Sequence, residues 1–428
     1  MIGFAVGFLL LFIALGVPVS IGIGLSGVLA IILGSDIPLI MVAQQMVRGV
    51  NSFPLMAMPL FILAGEIMSG AKLSNMMIRF ARSLVNWMRG GLGMVCVVAN
   101  MIFAGVTGSG AAAISAVGSL TAPELEEQGY EKSFVASLIA GSGSLGPIIP
   151  PSTNMIVIGS ITGVSVGRMF MGGILPGLLI GVGLMFLCYY YAKKHNVDKS
   201  EHKFDLRDVL RTFLKSLPAL LMPIIILGGV SLGVFTATEA GVVACVYGLI
   251  IGGLVYRTIK IKDLFTIFRN ASETSAMLLL IMATASIYSY IFAREGIAQA
   301  MGQFILSVSQ NPHVVVAIIV GIMLVIGCFM ETLSATVVLM PVFWPIVVSL
   351  GVDPIQFCVL FTIATVVGGL TPPVGSYLFL SMAITGASFR QAVKYCLHVL
   401  IIIFAVMVAI LFIPQVATFV PDWLMGAA

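Results

Sequence analysis

The sequence has 428 residues, 60% of them hydrophobic and only 9% charged, with a net charge of +4 and a mean hydropathy of +1.14. That composition excludes a soluble globular domain, and the lack of any ten-residue apolar/polar alternation excludes an outer-membrane barrel. Apolar runs longer than the roughly 20 residues a helix needs to cross hydrocarbon make this an all-α polytopic membrane protein.

In chain order, three spans are expected at about 2–16, 18–33 and 54–70, the first of them short for a crossing. The first basic residue is Arg48, so the opening apolar run lacks the basic flank of a cleaved signal peptide and is expected to stay as a helix. The stretch KLSNMMIRFARSLVNWMRG carries Arg79, Arg82 and Arg89 on an amphipathic pattern and is expected to lie along the cytoplasmic interface as an arm. The segment from Gly90 to Pro123 is too long for one span and holds GVTGSGAAAIS at its middle. Two short antiparallel helices meeting at that polar tip, a re-entrant hairpin, account for it; one full helix followed by a loop is the alternative. The next helix is interrupted by GSGSLGPIIPPST, where proline removes a donor and successive glycines loosen the ladder. Irregular backbone at membrane depth is tolerated only where it lines a cavity or is buried in protein, so the break builds a site.

Seven basic residues between Lys193 and Lys215 mark a cytoplasmic loop by the positive-inside rule. Asp198, Glu201, Asp205 and Asp208 interleave them without an aromatic platform, which argues against nucleic acid as a partner. Helices near 217–235, 237–256 and 271–293 follow, then a second arm from Arg294 to Gln310. A second long segment, about His313 to Gly351, holds METLSATVV at its middle, and the helix after it is interrupted by GGLTPPVGS.

A constant shift of 222 residues superimposes special residue types of the two halves: Ala113 on Ala335, Pro123 on Pro345, Gly129 on Gly351, Gly146 on Gly368, Arg168 on Arg390. Pro150 and Pro151 meet Pro372 and Pro373 under the same shift. An internal structural repeat is the reading. The first hairpin segment begins after Arg89 and ends before ELEEQGYEK, on the basic side, whereas the second lies between Arg294 and Arg390, where no Lys or Arg occurs. The two copies are therefore expected to be inverted in the membrane.

The residues FPLMAMPLFILAGEIM, GVTGSG and GPIIPPS in the first half, with GVFTATEAG, METLSATVVLMPVFWPI and GGLTPPVGSYLF in the second, are similar to the large membrane subunit of TRAP (tripartite ATP-independent periplasmic) transporters. The resemblance covers nearly the full length. It implies an elevator-type, sodium-coupled secondary transporter of the bacterial inner membrane. Such a transporter imports carboxylate-bearing solutes, a sugar acid such as sialic acid or a dicarboxylate, handed over by a periplasmic substrate-binding protein. It also implies a small four-helix membrane subunit as a separate chain, among membrane lipids. Members often carry Asp where Ala113 and Glu331 stand here. The expected organisation is scaffold helices and first arm at 1–89, transport-domain half 1 at 90–192, the cytoplasmic loop at 193–215, scaffold helices and second arm at 216–311, and transport-domain half 2 at 312–428.

Sodium is a hard cation served by converging carbonyls and hydroxyls. Gly108, Ser109 and Gly110 on the first tip, opposite Ser142, Ser144 and Gly146 on the broken helix, are one candidate site; Thr332, Ser334, Gly368, Gly369 and Thr371 are its counterpart. Ser109, Ser152, Thr153, Asn154, Glu331 and Ser376 are the candidate solute contacts. An acidic residue inside a span is a functional hypothesis by default, and Glu331 is the strongest, with a proton relay as the second use for any of Glu331, Glu66 and Glu239. Glu66 and Glu239 are read as structural, Arg168, Arg294 and Arg390 as interfacial anchors, with Arg294 and Glu295 as a local pair. His313 and His398 show no metal spacing, and the six cysteines lie in apolar runs as small hydrophobes. An intramembrane enzyme lacks a nucleophile–base or metal constellation, and a channel fits the inverted hairpins less well than alternating access. A binding-protein-independent, sodium- or proton-coupled anion transporter of the same superfamily is the alternative function.

Overall fold

The computed structural model describes residues 1–71, 73–198, 204–328, 330–372 and 375–426. The chain opens with α1 (Ile2–Ala14), α2 (Val19–Gly34) and α3 (Ile40–Val50), then a 3₁₀ turn Pro54–Met56 that runs into α4 (Ala57–Gly70), and α5 (Ser74–Val85). α3 lies outside the expected spans. The chain bends by 68° between α3 and the Pro54–Gly70 helix, because Pro54 has no N–H with which to continue the α3 ladder.

The first hairpin consists of α6 (Gly91–Thr107) and a return leg made of α7 (Gly110–Ala113), a π-helical turn Ile114–Gly118 and α8 (Ser119–Glu127). The first broken helix is α9 (Lys132–Gly143) and α10 (Thr153–Thr162), followed by α11 (Val166–His195). The second half repeats the plan. α12 (Leu206–Ser231), α13 (Ala237–Ile250) with a π-helical extension Ile251–Val255, α14 (Ile261–Arg294) and α15 (Ile297–Val308) lead to the second hairpin, α16 (Pro312–Gly327) and α17 (Thr332–Ser349). The second broken helix is α18 (Pro354–Leu370) and α19 (Ser376–Thr385), and the described chain closes with α20 (Phe389–Phe412) and α21 (Gln415–Met425). Pro373, which pairs with Pro151 in the repeat, lies outside the described residues.

Two expectations need correction. The loop at 193–215 is shorter, since α11 continues through His195 and α12 starts at Leu206. Asp205 caps α12 by accepting the Arg207 N–H at 2.9 Å, so the basic residues after it sit on a helix face instead of a loop. Glu201 and the rest of 199–203 lie outside the described residues. The hairpin legs, expected to be short, are also nearer to a full crossing in length. α6 has 17 residues, α16 has 16 and α17 has 18, and Pro341 and Pro345 do not interrupt α17. By length and composition α17 joins α11, α12, α13 with its extension, α14 and α20 as helices able to cross a membrane.

Residue registration supports the repeat. α8 ends at Glu127 and α17 at Ser349, while α9 begins at Lys132 and α18 at Pro354, each pair 222 apart. Between them Gly129 (φ +88°) and Gly351 (φ +67°) both take the left-handed conformation that ends a helix. α9 packs on α6, α19 and α20, whereas α18 packs on α16, α17 and α20, and α10 rests on α17 of the other repeat. Residues 133–143 of α9 and 355–370 of α18 are buried without exception, which places the first halves of the broken helices at the centre of the protein. α4 packs against α13 and α14, and α14 reaches α17.

The base of the first hairpin is tied down by polar contacts. Asp198 accepts the Leu92 N–H and the Tyr130 hydroxyl, each at 2.9 Å, and so caps α6. Arg82 on the α5 arm pairs with Glu124 on α8.

Candidate functional site

The first hairpin reverses at Gly108 and Ser109. Gly108 is left-handed (φ +61°), and a Cβ on it would fall 2.3 Å from the Pro151 carbonyl oxygen, so both the turn and the contact need glycine. A Cβ on Gly146 would lie 2.6 Å from the Gly110 nitrogen and from the Ser109 carbonyl carbon. In the second repeat, a Cβ on Gly368 would lie 2.5 Å from the Gly327 Cα and carbonyl carbon. Each hairpin tip thus rests backbone to backbone on the break of its own repeat. Two serines start the helices that leave these points with nearly the same backbone, Ser109 at φ −125°, ψ 122° and Ser152 at φ −124°, ψ 122°. Ser109 Oγ accepts from the Ala112 N–H at 3.4 Å; Ser152 Oγ accepts from Met155 N–H at 3.2 Å and donates to the Pro147 carbonyl at 2.6 Å.

The first group of predicted cation ligands is brought together here: Ser109 and Gly110 meet Gly146, Gly108 meets Pro151, and Ser142 and Ser144 are buried just before Gly146. Ser142 Oγ accepts from Asn100 Nδ2 at 2.8 Å and donates to the Leu138 carbonyl at 2.7 Å. Ser144 donates to the Gly141 carbonyl at 2.7 Å. In the second group Gly368 meets the tip, Thr332 and Ser334 are buried at the start of α17, and Thr371 donates to the Val367 carbonyl at 2.7 Å. Among the described residues, the buried side-chain oxygens without a hydrogen-bond partner are Asn100 Oδ1 and Ser334 Oγ. No group of three or more His, Cys, Asp or Glu converges among the described residues.

Beside the first tip opens a cavity of about 560 Å³, walled by α4 and α14 on one side and by the two hairpins on the other. Its polar lining among the described residues is six Ser and Thr side chains and two carboxylates, Glu66 and Glu331, with no Lys, Arg or His. Of the six candidate solute contacts, Ser109, Thr153 and Glu331 reach this wall. Ser152 is fully buried, and Asn154 is committed elsewhere: Thr336 Oγ1 donates to its Oδ1 at 2.8 Å, and its Nδ2 donates to Thr365 Oγ1 at 3.4 Å. Ser376 is exposed and lies off the wall. A cavity of about 580 Å³ between α5 and α12, lined by Arg79, Arg82, Arg211 and Lys215, contains none of the tip residues.

Glu331 is the N-cap of α17, its Oε2 accepting from Leu333 N–H at 3.0 Å and Ser334 N–H at 3.2 Å. Glu66, read from the sequence as structural, faces the cavity from α4. Glu239 does have a structural contact: it closes a capping box with Thr236, accepting its N–H at 2.8 Å. Arg168 binds Asp422 at 2.5 Å and the Gly426 carbonyl at 2.7 Å, which fastens α21 to α11. The expected Arg294–Glu295 pair does not form, since Arg294 ends α14 and donates back one turn to Tyr290 at 3.4 Å. His313 bonds the Leu411 carbonyl at 2.9 Å.

Sequence reading missed Ser69, Ser115, Thr274 and Tyr377. Ile62, Gly65, Glu66 and Ser69 form an i, i+3, i+4, i+7 stripe on α4, a signal that could have placed Glu66 on the wall. Ser115 is turned into the cavity by the π-helical turn, a feature without a local sequence signature. The buried ring of Tyr377, on α19, stands where a Cβ on Gly110 would approach it to 3.0 Å, so the second broken helix also touches the first tip.

Residues 6–416 match the family described as the tripartite ATP-independent periplasmic transporter, DctM component. The isethionate TRAP transporter permease protein DctMQ of Oleidesulfovibrio alaskensis is 36% identical over 413 residues, covering 96% of this chain and 65% of that longer protein. The C4-dicarboxylate TRAP transporter large permease protein DctM of Vibrio cholerae is 35% identical over 96% of this chain and 95% of its own. The sialic acid TRAP transporter large permease protein SiaM of the same organism is 31% identical over 100% of this chain and 99% of its own. Among solved structures, Neisseria gonorrhoeae MtrF, titled as illuminating a class of antimetabolite efflux pumps, superimposes with a TM-score of 0.60 at 13% identity, covering 96% of this chain and 95% of that one. That likeness concerns the fold.

Proposed function

The chain belongs to the DctM component family of tripartite ATP-independent periplasmic transporters, a family of transporter subunits and not enzymes, and from that premise we propose that it is the large membrane subunit of a sodium-coupled importer of carboxylate-bearing organic solutes. The solute is a sugar acid or a dicarboxylate, in keeping with the sialic acid and C4-dicarboxylate named for two relatives. A periplasmic substrate-binding protein delivers it, a small four-helix membrane subunit completes the assembly, and the bacterial inner membrane houses that subunit and this chain.

The observation that carries this reading is the seating of each hairpin tip on its own break beside one polar cavity. Unwound backbone supplies carbonyls to a cation, and the start of α10 supplies N–H groups without helical partners to an anion. Asn100 Oδ1 and Ser334 Oγ, buried and unpaired, are oxygens suited to sodium, joining Ser109, Ser142 and Ser144 in one repeat and Thr332, Gly368, Gly369 and Thr371 in the other. Bound sodium orders the tips and adds positive charge, and both raise the affinity for the anion. The hairpins and broken helices then move together as a re-entrant transport domain against the remaining helices, with the second repeat inverted with respect to the first. Uptake into proteoliposomes holding the assembled subunits, with the binding protein outside, tests this. Uptake should require a sodium gradient and stop when choline replaces sodium; sodium-independent uptake would refute the coupling. Uptake that persists without the binding protein would favour a self-sufficient anion transporter.

A further inference from the structure

If the cavity beside the first tip is the solute site, as proposed above, then the charge of its wall sets solute specificity. The two carboxylates stand on different walls, Glu66 on α4 and Glu331 at the start of α17. The α17 end offers no free dipole to an anion, because one oxygen of Glu331 already takes the Leu333 and Ser334 N–H groups. The α10 end differs. Its cap is the neutral Ser152, Thr153 lies on the wall, and the first N–H groups of that helix have no helical partners. Among the described residues, the Glu66 carboxylate has no hydrogen-bond or ion-pair partner and no cationic side chain lines the cavity.

The cavity therefore holds two kinds of group: backbone donors at the start of α10, beside Thr153, and two carboxylate acceptors, Glu66 on the α4 wall and Glu331 at the start of α17. A carboxylate that a bound solute covers needs donors in place of the water it loses, and one left without them carries the desolvation cost. An unsubstituted dicarboxylate brings only acceptors and would set a second negative charge against two fixed ones. A solute with one carboxylate and several hydroxyl or ammonium groups satisfies both ends. We infer that this cavity selects organic acids bearing hydroxyl or ammonium donors over unsubstituted dicarboxylates, with the acid group at the α10 start and the donors on Glu331 and Glu66. A site built to accept a solute hydroxyl rejects the analogue that lacks it, because its own acceptors are then left unpaired.

The test uses matched series on the full chain in lipid nanodiscs with sodium present: succinate, L-malate and L-aspartate on one carbon skeleton, and adipate with gluconate on a longer one. Binding is read from the shift in melting temperature and from calorimetric titration. The donor-bearing acid of each series should bind at least about tenfold more tightly than the unsubstituted one, and Glu66→Gln and Glu331→Gln should each narrow that ratio, weakening the donor-bearing acid and tightening the unsubstituted one. Equal binding within a series would overturn the inference while leaving the transport reading intact. So would an equal loss for every acid in the two variants, the mark of a carboxylate that serves the coupling cation. Failure of every acid to bind would overturn the solute-site reading itself.

Discussion

Gly146 and Ser109 approach so closely that a Cβ on the glycine would sit 2.6 Å from the serine carbonyl carbon. The first tip is therefore seated against a hydrogen atom where any other residue has a Cβ carbon. Gly146→Ala should push the tip off the break, cost about 1–3 kcal/mol in stability and lower uptake by more than about tenfold, and Gly368→Ala should do the same through Gly327. Gly321→Ala, inside α16 with nothing within 4 Å of its Cβ position, is the control and should leave uptake unchanged and melting temperature equal or slightly raised. Unimpaired uptake by Gly146→Ala would show that the contact is dispensable.

Asn154 joins the two repeats through Thr336 and Thr365 in a fully enclosed setting. Asn154→Ala should destabilise the protein by about 1–3 kcal/mol, because it leaves the partner hydroxyls less well satisfied. A double-mutant cycle with Thr336→Val should return a coupling of about 1 kcal/mol in chemical denaturation; strict additivity would deny the pair any energetic role.

Arg168 is occupied by Asp422 and the Gly426 carbonyl, away from the cavity. Arg168→Gln should leave the KM for uptake within about twofold and change stability by about 1 kcal/mol or less, as a part-exposed pair allows. A large rise in KM would instead place this guanidinium on the solute.

Tyr130 lies between the first hairpin and α9, and burial, with Cys188 and Asp198 adding to it, pushes its hydroxyl well above the usual tyrosine range. In the unfolded chain it titrates near about pH 10. The folded chain keeps this proton while the unfolded chain releases it, so the contribution is complete below about pH 10 and declines as the pH rises beyond it. Melting temperature should fall more steeply between about pH 9 and 11 in the native sequence than in Tyr130→Phe. Parallel curves would contradict the shift.

The turning points were legible because glycine and proline act locally. Gly108, Pro150 and Pro151 announce the first tip and break, and the same spacing recurs in the second half. Which face a helix buries was not legible where the helix is apolar all round. Every position of 133–143 and 355–370 is buried, so no periodicity distinguishes the side that meets α6 from the side that meets α20. Glu66 and Tyr377 escaped for a related reason: their roles depend on which distant element packs opposite them. The polar start of α12 was read as loop, and that of α14 fell outside the helix expected near 271–293, because their charges hid the helical continuation that the Asp205 cap and the Lys260–Asp263 capping box begin.

The central claim, that the cleft between the first tip and α4 and α14 holds the solute, is open to a direct labelling measurement. Ser115 faces the cavity, and with Cys328 replaced by alanine the other five native cysteines are buried. A cysteine introduced as Ser115→Cys should react readily with a membrane-impermeant maleimide. Its labelling rate should fall roughly tenfold when sodium and a bound organic acid are both present, and by less with either alone. A rate unchanged by any combination of sodium and acid would place the solute elsewhere and contradict the account.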